Sequence, residues 1–135
     1  MENAKTKFKV IVLWILLLIG MILHFNYHVS AIFYGIDVKR PNADGTIPLM
    51  AHILKTVFYH FPMIFVVALL YLKTKWFRGV MFVISLAYTV YHVFHVLGEF
   101  KKPKLDLAQI PLLSLVLIFS LLLNKESWKY FKYEK

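Results

Sequence analysis

The chain contains no cysteine. That excludes disulfides, thiolate metal ligands, iron–sulfur clusters and covalent haem attachment through a C-x-x-C-H motif in one step. Acidic residues are scarce, seven against 16 Lys and Arg in 135 residues, and glycines number only five. No Gly-rich phosphate loop, internal repeat or low-complexity segment occurs. What the chain has in quantity is apolar residues, 60% of the total. A soluble domain of this size lacks the interior volume to hide so many. They also come in runs long enough to cross a bilayer core, which takes about 20 residues as a helix.

The runs predict an all-α polytopic membrane protein, an up-and-down four-helix transmembrane bundle forming a single membrane domain. The helices are expected over about 9–32, 47–72, 78–98 and 107–124, with an interfacial tail over about 125–135. Val29-Ser30-Ala31 has the small residues of a signal-peptide cleavage site, but the polar stretch from His24 to His28 is a poor end for such a segment, so the first run reads as an uncut helix. Pro48 suits a first helical turn. Pro62 lies inside the second run and frees the carbonyl of Phe58, so a kink beside His60 is expected. The short linker after Leu72 makes the second and third helices antiparallel neighbours. Gly98 reads as a C-terminal cap, and Asp106 with Gln109 as a capping box opening an almost purely aliphatic fourth helix. The tail Ser127 to Tyr133 interleaves aromatics with lysines, as interfacial segments do.

The formal charge of +9 is a topology signal. One side of the bundle carries Lys5, Lys7, Lys9, Lys73, Lys75, Arg78, Lys125, Lys129, Lys132 and Lys135, and the other carries Lys39, Arg40, Lys101, Lys102 and Lys104. Lys55 falls within a helix. The positive-inside rule then puts both termini in the cytoplasm, in what reads as a bacterial cytoplasmic (inner) membrane. Because the basic residues are divided among short loops, nucleic acid is not the expected partner. The lipid bilayer is, together with further copies of the chain or a larger membrane complex.

All six histidines fall in the first three helices. Ionisable groups inside a membrane are costly and normally face the bundle interior or a wet cavity, so each is a candidate functional residue. His24 and His28 are one turn apart on one face. Ser85, Tyr88, His92, His95 and Glu99 form a continuous stripe on the third helix, and His52, Thr56 and Tyr59 share a face of the second. Three polar stripes that lipid would not accept are expected to face one another. At 1.5 Å of rise per residue, His28, His52 and His95 lie roughly 3 to 6 Å below the non-cytoplasmic boundary, His24 and His92 roughly 9 Å, and His60 about 18 Å.

Imidazoles converging at one level suit a divalent metal, Zn, Cu or Fe. The expected ligands are His28, His52 and His95, with Glu99 as fourth and Asp37 also at the rim. A single membrane histidine is as readily a satisfied interhelical hydrogen bond; the alignment of five is what favours binding. Lys55 argues against a cation close to it. His24-x-x-x-His28 with His92-x-x-His95 resembles the histidine boxes of membrane desaturases and hydroxylases. That resemblance covers residues 24–28 and 92–95 alone, lacks the third His-x-x-His-His box and would face away from the cytoplasm, so no activity is carried over from it. Two further functions compete. Haem b could be held by bis-histidine ligation through His24 with His92, or His52 with His95, in a respiratory subunit. A proton- or ion-coupled transport subunit could use His60 as its deepest titratable group. No catalytic residue is assigned.

Overall fold

The computed structural model describes residues 2–40, 43–101 and 106–133. Among them no strand occurs, and four helical segments are long and apolar enough to cross a membrane, Asn3–Tyr34, Leu49–Tyr71, Lys75–Phe100 and Gln109–Lys132. Helix α1 spans Glu2–Ser30 and ends in a 3₁₀ turn, Ala31–Tyr34, closed by Gly35 at φ 72°. The second segment is broken into α2 (Leu49–Lys55), a π-helical turn (Thr56–His60) and α3 (Phe61–Tyr71). Helices α4 (Lys75–Phe100) and α5 (Gln109–Lys132) follow. The chain therefore runs up and down, with both ends and the 72–74 link at one end of the bundle, the terminal end. The described residues of the connections after Ser30 and after Phe100 lie at the other, the loop end.

Local sequence explains most of the boundaries. Thr74 accepts a hydrogen bond from the Phe77 amide at 3.3 Å and opens α4. Asp106 accepts from the Ala108 and Gln109 amides at 2.9 and 3.3 Å and opens α5. The π turn ends immediately before the Phe61-Pro62 step, so the backbone group released by the proline is absorbed by a local widening. Several boundaries differ from expectation: α1 begins at Glu2 rather than near residue 9, and α4 at Lys75 rather than near residue 78. Gly98 does not end its helix, which continues to Phe100, and the interfacial tail continues α5 as helix to Lys132. There the Arg78 guanidinium donates to the carbonyls of Tyr130 and Tyr133, at 3.1 and 2.7 Å. It thus satisfies acceptors that a helix end leaves open.

The aliphatic helix α5 packs on both α1 and α4, and α1 packs in turn on α3. Gly20 makes the closest approach: a Cβ there would run into the Val116 side chain, so its absence lets α1 and α5 meet. The second and third segments are neighbours through side chains rather than backbones. Trp14, fully buried, sets its edge against Phe65 and Tyr88 at 5.0 and 4.9 Å, and Phe58 lies 4.1 Å from the Tyr91 ring. Tyr88 Oη donates to the Val57 carbonyl. This aromatic wedge holds the π turn away from α4. Helix α2, beyond the wedge, has no buried residue and packs on no other segment beyond marginal contact.

Candidate functional site

Above the wedge, toward the loop end, the gap between α1, α2, the π turn and α4 is a cavity of about 610 Å³. Four histidines line it, His24, His28, His60 and His95, with Tyr59, Tyr91, Lys55 and Arg40. Its apolar walls are Met21, Phe25, Ala51, Leu54 and Phe58. Among the described residues that line it there is no Asp or Glu, so their fixed charge is positive.

Helical phase assembles the histidine cluster. His24 and His28, four residues apart on α1, have ring centroids 4.6 Å apart, and His95 from α4 brings its ring to 4.5 Å from His24. Both contacts are edge-to-face. Gln109, fully buried at the start of α5, fixes the orientation of His24. Its Nε2 donates to the His24 carbonyl at 3.2 Å, which turns Oε1 toward His24 Nδ1 at 2.6 Å. The amide oxygen can only accept, so the ring donates from Nδ1 and its basic nitrogen, when neutral, is Nε2.

The expected ligand set is not assembled. His28 and His95 reach the cavity, but His52 is exposed on α2 and does not line it. Glu99 is buried (3% exposed) at the end of α4, outside the lining. Among the described residues no three His, Cys, Asp or Glu side chains are placed to hold a metal ion together. Asp37 is exposed and accepts from the Lys39 amide at 2.9 Å. His60 reaches the cavity from the π turn. His92 sits behind the cluster at 1% exposure, against Phe58, Tyr88 and Tyr91, and neither ring nitrogen has a hydrogen-bond partner among the described residues. The stripe on α4 does face inward: Ser85, Tyr88, His92 and Glu99 are buried and His95 half-buried.

Arg40 and Gln109 are missed by sequence reasoning, Arg40 because a loop cation counts first as a topology signal. The half of the bundle toward the terminal end also carries buried polar groups. Asn124 of α5 donates to Thr89 Oγ1 at 2.8 Å, Thr89 donates to the Ser85 carbonyl at 3.1 Å, and Ser120 and Ser127 are buried beside this seam's helices. In the loop between the first two segments, Asp44 accepts from the Thr46 hydroxyl and amide at 2.7 and 2.8 Å, and these bonds hold its carboxyl below the usual aspartate range. Comparison of the chain with protein-family models, curated proteins and solved structures finds no match to any of them.

Proposed function

We propose that this chain is an integral membrane protein that binds an anionic group in the histidine-lined cavity, near the non-cytoplasmic face. One observation carries the reading: Arg40 and Lys55 line the same cavity as four imidazoles, with no carboxylate among the described residues that line it. In a partly desolvated site, two permanent cations favour an anion and disfavour a bare metal ion. Imidazole and phenol groups add hydrogen-bond donors at neutral charge. The excess of Lys and Arg at the terminal end supports a cytoplasmic position for both termini and an outward-facing cavity, in a bacterial inner membrane. Reporter fusions at each terminus and at residue 44 test that orientation. Activity of an oxidation-dependent reporter at the termini rather than at residue 44 would reverse it.

The anion reading is tested by thermal unfolding in neutral detergent with increasing inorganic phosphate. A ligand that binds only the folded state raises the midpoint with the logarithm of its concentration. The rise is expected in the unaltered protein and absent from Arg40→Gln/Lys55→Gln. An equal response in both proteins would refute the assignment.

The Gln109–His24 pair favours a second reading. A histidine whose Nδ1 donates to a fixed oxygen is oriented as metal-ligating histidines are, with Nε2 as the ligating atom. A transition metal would then be bound at His24 once the His28 and His95 rings turned toward it, since no three such side chains among the described residues are already placed to hold one; the chain would act as metal-handling factor or metallo-enzyme, and His52 would have no part. On this reading, protein purified without an affinity tag carries stoichiometric Zn, Cu or Fe. The metal should disappear from the triple alanine variant at 24, 28 and 95 and stay in His52→Ala; metal retained by the triple variant removes it.

A further inference from the structure

We infer that the anion is the phosphate headgroup of a membrane lipid, which enters the cavity sideways between α1 and α2 with its chain still in the bilayer. This rests on the anion reading and narrows it to a ligand class. The cavity is amphipathic: Arg40 and Lys55 supply charge, whereas Met21, Phe25, Leu54 and Phe58 supply apolar wall. A free inorganic ion would gain nothing from that wall, but an acyl chain would. Phe25 is 57% exposed, so the wall is continuous with the lipid-facing surface. The gap exists because α2, apart from Leu54, makes at most marginal contact with the other segments among the described residues, while the π turn and the aromatic wedge hold the chain below it. Lys55 is the last residue of α2, which borders that gap, and Arg40 lies in the connection preceding it, so a headgroup reaches both without crossing the bundle.

The test uses the full chain in neutral detergent with equimolar dioleoyl phosphatidate and dioleoyl phosphatidylcholine, the co-purified lipids being quantified by mass spectrometry. Two charge-assisted contacts are expected to enrich phosphatidate at least about tenfold. Arg40→Gln should lower the enrichment several-fold, and Arg40→Gln/Lys55→Gln should bring it to parity. Arg40 is exposed in a connection, so the single variant decides should the double variant fail to fold. Glycerol 3-phosphate at the same concentration should not displace the lipid. Enrichment that Arg40→Gln leaves untouched, or displacement by glycerol 3-phosphate, overturns the inference. No enrichment alongside a phosphate-dependent rise in unfolding midpoint overturns it while leaving the anion reading standing; failure of both responses removes both.

Discussion

Gln109 holds His24 by its ring and by its carbonyl, across 85 residues of sequence. Gln109→Leu would leave both groups without that partner in the interior. The expected loss is about 1–3 kcal/mol, read from the unfolding midpoint in detergent. His92 presents the opposite case, a buried ring with neither nitrogen hydrogen-bonded among the described residues. His92→Leu should therefore leave stability unchanged or raise it by about 1 kcal/mol. A fall beyond about 2 kcal/mol would mean that the native ring is bonded after all. The sequence makes His24 and His92 legible as inward-facing residues, because the cost of a polar group in lipid needs no tertiary knowledge. Gln109 is not legible in the same way. Its spacing from Asp106 is accounted for by a local cap, and only the fold reveals that the amide is used elsewhere.

At the scale of the element, the second segment depends on Pro62. Pro62→Ala allows ordinary helical bonding through Thr56–His60, and loss of the extra residue would rotate α2 about 100° relative to α3. That rotation carries Lys55 away from the cavity. The expected outcome is a weaker phosphate-dependent rise in unfolding midpoint, with the midpoint of the unliganded protein unchanged or raised. An undiminished phosphate response would show that the turn does not position Lys55. The proline makes a distortion readable in advance, and the distortion lies where the freed Phe58 carbonyl puts it. The outward set of α2 is not readable. His52 and Thr56 form a polar face that asks for an interior, but Thr56 Oγ1 donates to the His52 carbonyl at 3.1 Å and is satisfied within its own helix.

Across the whole molecule, α1, α4 and α5 form a tightly packed body and the second segment leans on it through α3 and aromatic rings. Gly20→Ala attacks that body directly, forcing α1 and α5 apart at Val116. A loss of about 1–3 kcal/mol is expected from the unfolding midpoint, and an unchanged midpoint would show that the contact yields freely. Packing order is what the sequence conceals most. The aliphatic residues of α5 serve equally for a lipid-facing helix and for a central one, since lipid and protein interiors offer the same apolar surroundings. The loose attachment of α2 has its own result for recognition. One wall of the cavity stands clear of the packed body and can shift outward without opening the seams among α1, α4 and α5. On the lipid-headgroup reading, headgroups of differing bulk would then be accommodated alike, and selection among them would fall to the sign of their charge rather than to their outline.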